Sequence, residues 1–503
     1  MRMNLPLCSH PIEVIHAFSE TRMKVTRLMA DQPAFAFATI RDLAARLRSG
    51  DATSVQITEY FLQRLEKLGP TYNAVVTVTR DLALAQARQA DEELKSGKDR
   101  GLLHGIPYGA KDLLATRGIP TSWGALHLKD QLIDEDASVI VRLRAAGAVL
   151  CAKLSMVEFA GGFGYRQANA SLTGPGLNAW DKTCWSGGSS SGPGSAVAAG
   201  LVPFAIGSET WGSILTPSCY NGIAGLRPTY GRVSRHGAMA LSWTMDKLGP
   251  MCRTADDCGL VLNAIAGPDA LDPTSLPAAW KYAGIDRSAP QGADETGRQF
   301  RFATLDVDFA KLTADVQANY KQSLEVMREF GTIDSIKLPD LPYNLVASTI
   351  ISCEMSAALG DVITSGDVWK LTAPEDRWGA FSNLLIPARD YINALRIRGR
   401  IQKEVDQALK EYDAVITPTL NTEAGPISQN FSQWSRGYVS TEMSGAANAA
   451  GLPGLTVPNG FGAGGLPTGL EFTGRAYGEN TILAAANAFQ RKTTWHLKTP
   501  PVG

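Results

Sequence analysis

Serines and glycines are the residues in this chain whose types and spacing could do chemistry. The segment Ser186-Gly-Gly-Ser-Ser-Ser-Gly-Pro-Gly-Ser195 concentrates them. A glycine-rich loop can cradle phosphate, but a nucleotide-binding loop needs Lys-Ser/Thr directly after its last glycine, and here Pro193 follows Gly192. The run Gly188-Ser-Ser-Ser-Gly192 also fits G-x-S-x-G with Ser190 at its centre. A nucleophile elbow of that kind needs a strand before it, a helix after it, and an acid and a histidine further on. Leu177–Trp185 is polar and turn-like, and only His236 and His496 lie downstream, the first in a Gly/Arg-rich turn and the second near the C-terminus. Neither reading fits the residues. The chemistry has to be sought with the segments around the serine run: Gly105-Ile-Pro-Tyr-Gly-Ala-Lys-Asp112 upstream, then Gly207-Ser-Glu-Thr-Trp-Gly-Ser-Ile-Leu-Thr-Pro217 and Asn221-Gly-Ile-Ala-Gly-Leu-Arg-Pro-Thr229 downstream.

Taken in that order, these segments resemble the amidase signature family of serine hydrolases. Thr116–Gly124, Ala152–Phe159, Leu241–Pro250 with Asp246, Leu466-Pro-Thr-Gly-Leu470 and Gly474-Arg475 extend the likeness over most of residues 39–492, most strongly over 105–256. The resemblance implies a Ser–Ser–Lys triad. Ser213 lies 24 residues after Ser189, the family's spacing from bridging serine to nucleophile, and Lys111 matches the base. It further implies a cis peptide bond before Ser189 and an oxyanion hole of backbone N–H groups from Thr210, Trp211, Gly212 and Ser213. No metal or organic cofactor is implied. The chemistry is coherent on its own terms. A serine hydroxyl is a weak nucleophile until a neighbour takes its proton. A lysine can be that neighbour if burial lowers its pKa from about 10.4 toward neutrality. The apolar-leaning runs Ile106–Ala110 and Leu113–Ala115 flank Lys111 and offer such a dry setting.

Three departures from the family pattern bear on substrate: Leu215 where arginine is frequent, Trp211 where glycine is frequent, and Glu209 where aspartate is frequent. With Trp123, Met156 and Phe163, Leu215 and Trp211 suggest a neutral, apolar substrate bound by Trp123, Met156, Phe163 and Leu215. The function implied is hydrolysis of a carboxamide C–N bond, with esters and carbamates open to the same acyl-enzyme route. Two alternatives stand beside it: a glutaminase-type subunit of a tRNA-dependent amidotransferase, and a catalytically inactive binding or scaffold protein.

The elements that must position these groups follow from hydrophobic spacing. Ile40, Leu43, Ala44 and Leu47 recur at helical intervals between Thr39 and Gly50, and Thr53-Ser-Val-Gln56 reads as a capping box before Ile57, Phe61, Leu65 and Leu68. Helices are expected over Asp81–Lys95, Ser138–Ala148, Ala314–Phe330 and Asn480–Gln490. Strands are expected over Val149–Leu154, Val202–Ile206, Arg301–Val307, Ala414–Thr417, Leu455–Val457 and within Leu470–Thr473. This alternation predicts an α/β fold, and the resemblance implies a single large α/β/α domain around a mixed sheet. Residues 160–235, dense in Gly, Ser and Pro, are expected to be irregular. Residues 1–36 read as an N-terminal arm and 37–503 as the signature domain, with a helix-rich stretch over about 265–400 shaping the substrate pocket.

Composition narrows the classes further. The chain has 503 residues, a formal net charge of -1, 44% hydrophobic and 19% charged residues, values of an ordinary globular protein. A balanced charge argues against a broad nucleic-acid-binding surface. No apolar run reaches the roughly 18–20 residues of a membrane helix, and the N-terminus is a poor secretory signal. The seven cysteines form no C-x-x-C pair, which points to free thiols in a cytoplasmic setting. The partners expected are a small amide, ester or carbamate and water, without nucleic acid or membrane. A homodimer packed through residues 1–36 is the assembly considered.

Overall fold

Eleven strands form one mixed sheet in the computed structural model, which describes residues 35–164, 166–278, 280–282, 284, 298–305, 309–435 and 442–501. The strands are β1 (Val75–Val78), β2 (Pro107–Lys111), β3 (Val149–Leu154), β4 (Phe204–Glu209), β5 (Ala224–Arg227), β6 (Lys247–Cys252), β7 (Phe300–Leu305), β8 (Gly331–Ile336), β9 (Ala414–Pro418), β10 (Gly454–Phe461) and β11 (Pro467–Thr473). Their spatial order is β1-β3-β2-β4-β6-β5-β10-β11-β9-β7-β8. Strand β2 runs parallel to both β3 and β4, and β7 runs parallel to β8 and β9; the remaining pairs are antiparallel. The longer helices are α1 (Ile40–Ser49), α2 (Ser54–Leu68), α3 (Arg80–Lys95), α4 (Ser138–Ala145), α5 (Ser191–Ala198), α6 (Leu215–Asn221), α7 (Ala255–Ile265), α8 (Ala314–Arg328), α9 (Tyr343–Ala358), α10 (Ala388–Leu409), α11 (Glu442–Ala450) and α12 (Glu479–Lys492). The result is the single α/β domain expected from the sequence.

Side-chain alternation along the strands splits the core into two layers. On β4, Phe204 and Ile206 join one apolar cluster and Ala205 joins another that includes Val197 of α5 and Ile214. The first two helices form as their spacing predicts. Thr39 and Thr53 each accept a hydrogen bond from the backbone three residues on, Asp42 and Gln56 close the capping boxes, and Gly50 ends α1 in the left-handed region.

Several expectations need correction. The expected strand Val202–Ile206 begins at Phe204 and runs on to Glu209. Helix α4 stops at Ala145, and the chain turns through Gly147 (φ 78°) into β3. Residues 160–235 are not irregular throughout: α5, β4, α6 and β5 lie within them. All eight residues of α5 are buried, so it has no exposed polar face and presents no amphipathic stripe in the sequence. Of the expected strand Arg301–Val307, the part past Leu305 lies outside the described residues, as do residues 1–34 of the expected arm 1–36. Phe35 and Ala36 are buried, and the Phe35 ring meets Tyr60 of α2 edge-on, so the packed body begins ahead of residue 37. No helix among the described residues is long and apolar enough to cross a membrane.

Candidate active site

Lys111 ends β2, the strand that β3 and β4 flank in parallel. Its Pro-Tyr-Gly-Ala-Lys sequence packs because Gly109 lacks a side chain: a Cβ there would stand 2.4 Å from Leu154 Cδ1. The lysine is wholly buried, and its Nζ donates to Ser189 Oγ at 2.7 Å and to Ser208 Oγ at 2.9 Å. Burial pushes its pKa down to about 7, against the opposing pull of Asp246 and Glu209. Asp112, the next residue, points elsewhere. It pairs with Lys153 at 3.0 Å and accepts from the Ser122 backbone N–H at 2.9 Å and from the Ser122 hydroxyl, fixing the chain just past the lysine.

Ser189 precedes α5 and follows a cis peptide bond from Gly188. Its loop is tied down on several sides. The Val157 N–H donates to the Ser189 carbonyl at 3.1 Å, Asn221 of α6 donates to the Ser186 carbonyl at 2.7 Å, and the Gly192 N–H reaches the Ser155 carbonyl at 2.9 Å. Gly192 must be glycine here, since a Cβ would meet the Ala74 carbonyl oxygen and the Ser155 nitrogen at 2.5 Å each. Ser190, the centre of the G-x-S-x-G match, is buried and exchanges hydrogen bonds with the Ser208 backbone, so it serves the scaffold.

Ser213 sits in the turn between β4 and α6, and the Ser190 N–H donates to its carbonyl at 3.3 Å. Glu209 shapes that turn. It accepts the backbone N–H groups of Ile214 and Leu215 at 2.9 and 3.1 Å and pairs with Arg227 of β5 at 2.8 Å. Burial would raise its pKa, but Arg227 and Lys247 outweigh that and hold it at about 2. Lys247 of β6, itself pushed down to about 7 by burial, donates to the Thr210 carbonyl at 3.0 Å. A planar trans peptide then turns the Trp211 N–H the opposite way. The backbone N–H groups of Thr210, Trp211, Gly212 and Ser213 have no acceptor among the described residues, and all four residues line one cavity of about 400 Å³.

Apolar groups dominate the cavity wall: Ala160, Trp211, Leu215, Leu241, Ile351 and Leu420. Its polar groups include Thr419, Ser444 and Glu471, and the Trp211 indole N–H donates to Ser444 Oγ at 2.9 Å. Of the four residues expected to bind substrate, Leu215 lines the cavity. Trp123, Met156 and Phe163 do not: Trp123 and Phe163 pack edge-on against Phe159, and Met156 is fully buried in the same cluster. Their apolar character serves the core, the commoner use of such side chains. Ser208, Ile351, Leu420 and Glu471 went unforeseen. Only Glu471 leaves a signal in the sequence, a lone charge inside the apolar run Leu470–Phe472. Among the described residues, no group of three or more His, Cys, Asp or Glu side chains is placed to hold a metal ion.

A sequence-family model described as Amidase matches residues 56–483. The chain is similar to one subunit of the glutamyl-tRNA(Gln) amidotransferase of Methylococcus capsulatus, 35% identical with 92% of this chain and 98% of the relative covered, and to the same subunit from Chloroflexus aggregans, 36% identical over the same shares. Among solved structures it is similar to a peptide amidase from Stenotrophomonas maltophilia, with a TM-score of 0.79, 31% identity, and 91% and 97% of the two chains covered. The corresponding glutamyl-tRNA(Gln) amidotransferase subunit of Thermotoga maritima has a TM-score of 0.76, 26% identity, and 92% and 96% coverage. These curated relatives favour the glutaminase-type alternative over the free-standing amidase, and their names give no support to the expectation that nucleic acid plays no part.

Proposed function

The chain belongs to the amidase family, and on that premise we propose that it cleaves a carboxamide C–N bond through an acyl-enzyme on Ser213, with Lys111 as base and Ser189 passing the proton between them. The observation that carries this reading is the 2.7 Å bond from a wholly buried Lys111 Nζ to Ser189 Oγ. With a pKa near 7, a large share of the amine is neutral at physiological pH and can accept a proton. Ser189 gives its proton to Lys111 as it takes the one on Ser213, and Ser213 Oγ attacks the carbonyl carbon. The unpartnered N–H groups of Thr210–Ser213 are the donors for the oxygen that becomes negative, each worth roughly 3–4 kcal/mol in such a role. The proton returns through Ser189 to the departing nitrogen. Water then repeats the sequence on the acyl-enzyme, releasing the acid and restoring Ser213. Esters and carbamates fit the same steps, and the setting proposed is cytoplasmic.

The curated relatives favour a second reading of the biological role, a glutaminase-type subunit whose ammonia serves a partner enzyme. The chemistry at Ser213 is identical. The cavity bears on the choice: glutamine carries a carboxylate, and among the described residues no lysine, arginine or histidine lines the wall to receive it. The decisive experiment uses the isolated chain without partner subunits or ATP. A fluorophosphonate probe is expected to label it, and Ser213→Ala to abolish the labelling; labelling that survives the substitution overturns the mechanism, and absence of labelling in the parent favours the inactive-scaffold reading. Ammonia release from L-glutamine, set against hydrolysis of a neutral aryl amide and a peptide amide, then separates the two roles.

A further inference from the structure

Among the described residues lining the cavity, Glu471 is the one ionisable side chain, and its surroundings leave it under-compensated. It projects from β11 at 2% exposure. Arg227 is the cation beside it, yet Arg227 is already committed: Nη1 bonds Glu209 at 2.8 Å and Nε donates to the Leu452 carbonyl at 3.1 Å. Nη2 stands 3.5 Å from Glu471 Oε1 and makes no hydrogen bond. One guanidinium thus faces two buried carboxylates and favours Glu209. Thr473 Oγ1 donates to Oε1 at 3.0 Å, while among the described residues no hydrogen bond reaches Oε2. Burial accordingly raises the Glu471 pKa, with Arg227 opposing and Glu209 reinforcing the shift. A carboxylate in so apolar a cavity is costly unless a donor meets it there.

We propose that Glu471 is a specificity-determining residue that receives a protonated primary amine carried by the substrate, so that the preferred amides are apolar in body and cationic at one end. This keeps the apolar body suggested by Leu215 and Trp211 but replaces the expected neutrality with a positive charge at one end, and its turnover arm rests on Ser213 acting as the nucleophile. A charge-assisted bond from an ammonium to Oε2 would complete the coordination that Arg227 leaves unfinished, in a low-dielectric site where such bonds are strong.

Two arms test it on the full chain. In the first, Ser213→Ala protein is titrated calorimetrically with n-butylammonium and with n-butanol. The ammonium is expected to bind at least about tenfold more tightly, and adding Glu471→Gln to remove that preference. Equal binding, or a preference that persists in Glu471→Gln, overturns the proposal. In the second arm, ammonia release is followed from unbranched ω-aminoalkanamides and from alkanamides of matched length. Glu471→Gln is expected to lower kcat/KM for the amino compounds at least about tenfold more than for the alkanamides. A uniform loss on both series points to a purely structural counter-ion for Arg227 and refutes the assignment. Should Glu471→Gln fail to fold, judged by its melting curve, Glu471→Asp keeps the charge but withdraws it by one methylene, and a selective loss on the amino compounds is expected again. If no amide is turned over while the ammonium preference stands in the first arm, the hydrolase reading fails and this inference survives.

Discussion

Burial is what fits Lys111 for the base role proposed for it, by disfavouring its charged form. Its pKa near 7 predicts that kcat/KM rises with pH through a single ionisation at about 7, which a pH–rate profile measures directly. The same shift affects stability. Between pH 7 and the ordinary lysine value of 10.5, the unfolded chain binds a proton that the folded chain does not, so this group makes the fold more stable as pH rises across that window. Ser208 is the second partner of the amine, at 2.9 Å. Replacing it with alanine removes an acceptor that orients Nζ toward Ser189. Ser208→Ala is expected to reduce kcat by about tenfold with little change in KM, the size of one buried hydrogen bond, and steady-state kinetics read both. Nothing in the sequence singles Ser208 out, since it is one serine among many and its partner lies 97 positions away.

At the scale of elements, the turn that holds Ser213 depends on Glu209. Its carboxylate gathers two backbone N–H groups at the start of α6 and the guanidinium of Arg227. Glu209→Gln leaves Arg227 buried with a weaker partner and is expected to destabilise the fold by about 3–5 kcal/mol, measured by chemical denaturation. The sequence makes the outer helices legible because they are half-exposed. Ile40, Leu43 and Leu47 mark one face of α1, and the Thr39 and Thr53 boxes mark where α1 and α2 begin. The elements nearest the chemistry hide for the opposite reason. Strand β2 reads as Pro-Tyr-Gly-Ala-Lys and α5 as Ser-Gly-Pro-Gly-Ser-Ala-Val-Ala, both buried on every side, so neither carries an alternation of polar and apolar residues to read. Small residues are there because Leu154 and the Ala74 and Ser155 backbones press against them. Lys111, Ser189 and Ser213 stand out by resemblance alone, Glu471 only as a lone charge in an apolar run, and Ile351 and Leu420 of the cavity wall not at all, because long-range packing selects those two side chains.

On the scale of the whole molecule, α1 is docked to the body through α7. The Ile40 N–H donates to Asp257 at 3.0 Å, and Arg41 pairs with Asp256 at 2.5 Å. Burial pushes Asp257 up to about 7 from its ordinary 3.8. Between those values the folded chain holds a proton that the unfolded chain has lost, so this contact loses stability as pH rises through the window. Asp257→Asn is therefore expected to melt higher than the parent at pH 8 and close to it at pH 5, as thermal denaturation at the two pH values would show. A last consequence follows from where the cavity's walls originate. The lysine and the two serines come from β2, the loop before α5 and the β4–α6 turn, whereas Ile351 belongs to α9, Ser444 to α11 and Leu420 to the chain just past β9. Part of the grip thus descends from a later stretch of the gene than the tool, while Ala160, Trp211, Leu215 and Leu241 share the tool's own stretch. Sequence drift in the later stretch can hand the proposed bond-breaking apparatus a new diet, with its proton path left untouched.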